Sequence, residues 1–261
     1  MNAASVRLSR LLLAAAVTVA GSDALASGLE RAQQRGKLQA GIHYVVPEYK
    51  GGMKFRTPET LDHALLEDVA KRLSLPLATV PSASGKSDFV LATVTDEDAL
   101  HRTHTVIPIG YASAPMAIMR SDTDIKRWEQ LKGRKVCVSE GGVHAGRIGA
   151  KYGATEIVYK APADALIAVR VGECDATVHD SAMLEELIKY PEWKKFSARL
   201  PAGPRATLAF VVPASDTRTA AFLRQVAAEW KAGDHSGKLM KTAVRNIAFE
   251  VYLDQNAPDC H

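Results

Sequence analysis

The chain has 261 residues, of which 24% are charged and 47% hydrophobic, and its formal charge is +4 at pH 7. So small a positive excess argues against a nucleic-acid-binding protein, which would show a concentrated basic face. The length suffices for two lobes of about 100 residues each.

The first 26 residues have the pattern of a secretory signal peptide. Arg7 and Arg10 precede an apolar run at 11–20, and Ala24-Leu25-Ala26 supplies the small residues that signal peptidase requires. The apolar run is too short to cross the roughly 30 Å hydrocarbon layer of a membrane. We therefore expect cleavage after Ala26 and export of the mature chain.

The first half of the remaining chain alternates strands and helices. The clearest element is an amphipathic helix at 60–73, in which Leu61, Leu65 and Val69 share one face. The patterns around it predict a short helix at 29–35, strands at 37–43, 77–80 and 87–95, and an extended segment within 106–119.

The second half repeats this alternation. The patterns predict helices at 125–131, 145–152, 163–171, 181–189, 219–231 and 236–244, and strands at 135–139, 156–160, 175–178 and 206–212. Strands alternating with helices predict an α/β architecture with two sheets of the parallel type.

A carboxylate follows one of the buried strands. The segment 172–180 reads as a tight turn at Gly172, a short apolar strand, and then Asp180 at the strand's carboxyl end. Open α/β sheets hold their ligands at this edge, which makes Asp180 a candidate binding residue. The structural alternative is that Asp180 is the N-cap of the helix at 181–189.

The remaining chemical motifs are weak. Cys137, Cys174 and Cys260 permit one disulfide in an oxidising compartment, and the sequence leaves the pair open. Their irregular spacing, and a His101/His104 pair without a spaced carboxylate or cysteine, give no support for a metal site. The chain has neither the Lys-Ser/Thr of a phosphate loop nor a Gly-x-Ser-x-Gly elbow, so we expect no cofactor and no hydrolase activity.

The order of elements resembles the extracytoplasmic solute-binding proteins of family 3, which serve polar amino-acid ABC transporters. The resemblance rests on Leu29…Gly36-Lys-Leu…Gly41, on the helix at 61–73, on the segments at 131–142 and 172–180, and on the terminal helix leading to Gly233. It implies a two-lobed α/β fold, each lobe a mostly parallel sheet flanked by helices, with a ligand cleft between the lobes. Lobe one would comprise residues 27–117 and 210–261, and lobe two residues 118–209.

The resemblance also implies roles for individual residues. Asp180 would receive the ammonium group of the ligand and Thr93 and Thr95 its carboxylate, while Gly142, Val143 and His144 would offer backbone amides. His43 and Tyr49 would form walls of the cleft. Tyr111 is the one residue that this sequence retains from an aromatic signature of the family. Arg102 corresponds to an arginine that forks onto the ligand carboxylate, but it lies about two residues out of register.

The function implied is that of a monomeric binding protein, not an enzyme, which closes a hinge on a small polar solute and delivers it to the permease of an ABC importer. Two alternatives stay open. One is an accessory protein of the same fold that docks to a periplasmic quinoprotein dehydrogenase, and an exposed apolar patch would favour it. The other is an enzyme of the cyclohexadienyl dehydratase type, which turnover of prephenate or arogenate would reveal.

Overall fold

The computed structural model describes residues 26–47 and 54–254, so residues 1–25 of the predicted signal peptide, Tyr49 and Cys260 lie outside the described residues. The helices are α1 Gly28–Arg35, α2 Asp62–Leu73, α3 Arg147–Tyr152, α4 Pro162–Arg170, α5 Ser181–Leu187, α6 Thr217–Ala232 and α7 His235–Asp254. The strands are β1 Leu38–Ile42, β2 Leu77–Pro81, β3 Phe89–Val94, β4 His104–Ser113, β5 Pro115–Met119, β6 Lys135–Ser139, β7 Thr155–Tyr159, β8 Ala176–Asp180, β9 Ala198–Leu200 and β10 Ala206–Pro213.

The strands form two five-stranded sheets, in the orders β2-β1-β3-β10-β4 and β7-β6-β8-β5-β9. In the first sheet β1 pairs in parallel with β2 and β3, whereas β10 runs antiparallel to β3 and β4. In the second sheet β6 pairs in parallel with β7 and β8, whereas β5 runs antiparallel to β8 and β9. The sheets are therefore mixed rather than wholly parallel, and the mostly parallel two-lobed fold is confirmed.

The antiparallel strands β5 and β10 are each the first strand that forms after the chain has crossed from one sheet to the other. The chain leaves the first sheet after Ser113 and enters the second at Pro115, and it returns between Leu200 and Ala206. The predicted lobe boundaries at 117/118 and 209/210 thus fall within β5 and β10. Below, lobe one denotes residues 26–113 and 206–234, and lobe two denotes residues 115–200.

Local sequence explains the elements beside the cleft. In α2, Leu65, Leu66, Val69 and Ala70 are buried at helical spacing, so this helix covers the first sheet. The apolar run of β10 is buried from Leu208 to Val212 because the strand lies inside the sheet, between β3 and β4.

The C-terminal helix α7 contacts both lobes. The sequence predicted a helix at 236–244, but α7 continues to Asp254, so the predicted end was wrong. The helix follows α6 of lobe one, yet it packs against α4 and α5 of lobe two. Its buried residues Val244, Ile247 and Val251 belong to one apolar cluster with Leu184 and Leu187 of α5. The additional turns are stabilised by this long-range packing.

Lobe two contains the disulfide. Cys137 of β6 and Cys174, which precedes β8, are bonded with a Cα–Cα distance of 5.9 Å, and both are buried. Among the described residues, no group of three or more histidine, cysteine or acidic side chains is placed to hold a metal ion. In the same part of the chain, no helix has the length and apolar character needed to cross a membrane.

Candidate functional site

A cavity of about 230 Å³ lies between the two lobes. Its wall on the lobe-one side includes Thr60, Leu61, Asp62, Thr93, Thr95, Tyr111, Ser113 and Leu208. Its wall on the lobe-two side includes Val143, His144, Arg147, Ile148, Tyr152 and Asp180. Apolar side chains and a few charged groups thus meet in one concave site, which is the usual composition of a small-molecule pocket.

Asp180 lies at the end of β8 and is also the N-cap of α5, as the structural alternative predicted. Its Oδ1 accepts hydrogen bonds from the backbone N–H of Ala182 at 2.9 Å and from the Ser113 hydroxyl. Burial raises the pKa of Asp180, and the negative charge of Glu59 adds to the rise. Burial and the nearby Asp180 carboxylate raise the pKa of Tyr111 well above its usual range. Asp180 therefore lines the cavity with two donors already bound to Oδ1.

A second carboxylate joins the lobes beside the cavity. Glu59, in the connection that precedes α2, is only 5% exposed. It accepts hydrogen bonds from the Ser139 hydroxyl, from Nδ1 of His179 at 2.8 Å and from the Asp180 backbone N–H at 3.0 Å. Glu59 belongs to lobe one and all three donors belong to lobe two, so this network holds the lobes together.

His179 contacts a polar group on each side of its ring. Nδ1 lies 2.8 Å from the Glu59 carboxylate and donates to it, and Nε2 lies 2.7 Å from the Thr177 hydroxyl, which is also 3.1 Å from the carbonyl oxygen of Cys137. Burial opposes a charged Glu59, but the interaction with His179 and the hydrogen bonds outweigh it and hold the pKa of Glu59 below its usual value.

Gly142 provides the space for this network. A Cβ at Gly142 would lie 2.7 Å from Oε2 of Glu59 and 3.1 Å from the Ser139 carbonyl oxygen. Next to it, His144 lines the cavity with its buried Nε2 lacking a hydrogen-bond partner in the described structure. Burial lowers the pKa of His144 to about 4, so its ring is neutral at pH 7.

The sequence-predicted residues divide into two groups. Six line the cavity, namely Thr93, Thr95, Tyr111, Val143, His144 and Asp180. Gly142 precedes Val143 and borders the Glu59 carboxylate. The other predicted residues are not part of the cavity wall. Arg102 is exposed at the end of a 3₁₀ turn, His43 is exposed after β1, and Tyr49 lies outside the described residues. The assigned roles of all these residues stay predictions.

Sequence reasoning missed five acidic or basic residues of this region, Glu59, Asp62, Arg147, Lys151 and His179. His179 gave a usable signal, because a histidine inside a buried apolar strand needs a polar partner. Asp62, the first residue of α2, is 6% exposed, has no hydrogen-bond partner in the described structure, and has a pKa that burial raises to about 7. Arg147, the first residue of α3, is exposed at the cavity and forms no ion pair with any described residue.

Structural comparison identifies similar proteins. A mutant of ArgBP from T. maritima has a TM-score of 0.59 at 20% sequence identity, over 84% of this chain and 99% of that one. The amino-acid ABC transporter substrate-binding protein AbpA from Streptococcus pneumoniae, bound to L-arginine, gives 0.58 at 14% identity, over 84% and 99%. The ancestral cationic amino-acid solute-binding protein AncCDT-1 gives 0.57 at 20% identity, over 84% and 100%.

These similarities establish the fold, which is that of amino-acid-binding proteins with two lobes. AncCDT-1 is also described as a precursor of cyclohexadienyl dehydratase, so the same fold is connected with an enzyme. No family model matches the sequence, and no curated protein sequence matches it either. At identities this low, function has to be argued from the cavity itself.

Proposed function

We propose that the protein is a periplasmic solute-binding protein which holds an amino acid or a similar small polar solute between its lobes. The observation that carries this proposal is the cavity, where neither the buried Asp62 of lobe one nor the exposed Arg147 of lobe two is paired with a described residue. Asp62 suits a ligand with a positive charge, because a carboxylate removed from water is stabilised only when it is paired, and Arg147 offers the opposite charge to a ligand carboxylate.

The proposed mechanism is hinge closure, in which the solute favours the closed arrangement through contacts that need both lobes. The contacts of Glu59 with Ser139 and His179 define what an opening motion has to break. A further link across the lobes is formed by Arg56, whose guanidinium lies 2.7 Å from Asp164 of α4. We propose that the closed monomer then delivers its solute to an ABC permease.

The test is a thermal-shift screen of residues 27–261 against amino acids, polyamines and small organic acids. A ligand present at a hundred times its dissociation constant adds about 2.7 kcal/mol to the unfolding free energy, which is a shift of several degrees. We expect at least one solute to produce such a shift. A folded protein that responds to none of them contradicts the proposal.

A specific surface favours one second candidate, the accessory protein that docks to a periplasmic quinoprotein dehydrogenase. Phe249, Tyr252 and Leu253 of α7 are 59%, 64% and 61% exposed, and their spacing puts them on one side of the helix. Exposed apolar patches are typical of docking surfaces. This candidate predicts binding to such a dehydrogenase in solution, which Tyr252→Glu would weaken, and no solute would produce a thermal shift.

A further inference from the structure

Each lobe offers charged groups to a ligand in the cavity, and the assignment of these groups rests on the proposed function, that the cavity holds a solute. The resemblance implies that the ammonium binds lobe two through Asp180 and that the carboxylate binds lobe one through Arg102. In the structure Asp180 is already partly paired and Arg102 is not part of the cavity wall, whereas two other charged groups of that wall have no partner among the described residues.

Asp180 is already partly paired within the protein. Its Oδ1 accepts hydrogen bonds from the Ser113 hydroxyl and from the backbone N–H of Ala182. The bond to Ala182 caps α5, so a ligand that displaced it would also expose the start of that helix. Arg102, for its part, is exposed and is not part of the cavity wall.

Asp62 has the opposite properties. It lines the cavity, it is buried, and in the described structure no hydrogen-bond donor reaches its carboxylate. An aspartate at the start of a helix is usually explained as a cap, but α2 shows no side-chain cap bond. A buried carboxylate without a partner is costly, and a cation bound in the cavity would remove that cost.

Arg147 provides the complementary charge from lobe two. Its guanidinium lines the cavity and is exposed, and it forms no ion pair with a described residue. A guanidinium offers two parallel N–H groups to a carboxylate, which is a strong and directional contact. His144, the nearest histidine along the chain, is neutral at pH 7 and so does not compete for that carboxylate.

We propose that the cavity binds a compact zwitterion with its ammonium group on Asp62 of lobe one and its carboxylate on Arg147 of lobe two. The ligand therefore lies in the reverse orientation to the one that the resemblance implies. The ligand class is an amino acid carrying both charges, and an analogue that lacks either charge binds more weakly.

The experiment is isothermal titration calorimetry with the twenty common L-amino acids, followed by the decarboxylated analogue of whichever binds. Asp62→Asn and Arg147→Gln are each expected to weaken binding at least about 30-fold, since removing one partner of a buried charge pair has effects of this size. Arg102→Gln is the matched control, and we expect its affinity to stay within about threefold of the wild type. Asp180→Asn tests the orientation that the resemblance implies.

A second readout separates ligand contact from a structural effect. At pH 6.5 an ammonium that binds to Asp62 expels the proton which that carboxyl group holds in the free protein. Titrations in buffers with different ionisation enthalpies are therefore expected to show proton release for the wild type and none for Asp62→Asn.

The possible failures are distinguishable. If an amino acid binds and Asp62→Asn keeps wild-type affinity while Asp180→Asn or Arg102→Gln loses it, the orientation is overturned and the proposed function stands. If the folded wild-type protein binds none of the twenty, both are overturned.

Discussion

Glu59 and Asp62 lie three residues apart, just before α2 and at its first residue, and are buried to the same extent, with 5% and 6% exposure. Their environments differ completely. Glu59 has three donors from lobe two, and its pKa is lowered. Asp62 has no donor in the described structure, and burial raises its pKa to about 7. The comparison shows that partners, and not depth of burial, decide whether a carboxylate is charged.

The difference also separates two roles. The Glu59 network is complete within the protein, which is what is expected of a group that stabilises the arrangement of the lobes. The Asp62 carboxylate has no donor in the described structure and lies at a cavity. Natural proteins keep such unfavourable groups mainly where a ligand binds to them. Four substitutions test this distinction.

Glu59→Gln is expected to have the largest effect. It removes the carboxylate charge that three buried donors of lobe two share, and breaking a buried ionic contact from one side costs about 3–5 kcal/mol of unfolding free energy. Denaturation in urea measures the loss. Glu185→Gln on the exposed side of α5 is the control, with an expected change within about 0.5 kcal/mol. A loss below 1 kcal/mol for Glu59→Gln would contradict a charged Glu59 that links the lobes.

Asp62→Asn is expected to stabilise the ligand-free protein. Because the pKa is 3.8 ordinarily and about 7 in the fold, the folded protein keeps a proton that the unfolded chain releases between these values. The unfolding free energy therefore falls as the pH rises from about 4 to about 7. Asparagine removes this fall. The unfolding free energy of the variant therefore exceeds that of the wild type by on the order of 2–4 kcal/mol at pH 8 and by much less at pH 4. Urea unfolding at both pH values measures the gain, and equal stability of variant and wild type at pH 8 would show that Asp62 is paired.

Gly142→Ala is expected to reduce the unfolding free energy by about 1–3 kcal/mol, because its Cβ would crowd the Glu59 carboxylate and the rigid Ser139 carbonyl group. Guanidinium unfolding measures this change. Gly233→Ala is the matched control, since its Cβ meets only the Glu229 carbonyl oxygen, at 3.4 Å. A loss of equal size in both variants would point to a general effect of replacing glycine.

Ser113→Ala is expected to have the smallest effect, a loss of about 1 kcal/mol for one hydrogen bond to Asp180. Asp180 keeps its bond to the backbone N–H of Ala182, so the carboxylate stays partly paired. The same urea titration measures the loss. A change as large as that of Glu59→Gln would show that Asp180, and not Glu59, is the main link between the lobes.

Much of the fold could be predicted because it depends on local patterns. The strand at 135–139 was predicted with the bounds of β6, and the helix at 60–73 covers α2. The end of α7 could not be predicted, because Ile247 and Val251 are stabilised by packing on lobe two, while the exposed Phe249 and Tyr252 obscure the helical period. The three-residue strand β9 is too short to leave a pattern in the sequence.

The site was predictable only in part, for a similar reason. Asp180 was found because a buried strand ends at it. Glu59 was missed because its donors belong to residues 80 to 121 positions away in the chain, and no local sequence pattern indicates such a contact. Asp62 was missed because an acidic residue at the start of a helix is the expected sequence, and only the fold reveals that it lacks a cap bond.

The packing of α7 on α4 and α5 limits how the protein can be recombined. Lobe two is contiguous in sequence, so it looks like a module that could be exchanged between related proteins. Yet part of the apolar surface of α5 is covered by α7, which lies outside that contiguous stretch of the chain. A chimera that imports a foreign lobe two has to import its matching C-terminal helix as well, or it will expose that surface and aggregate.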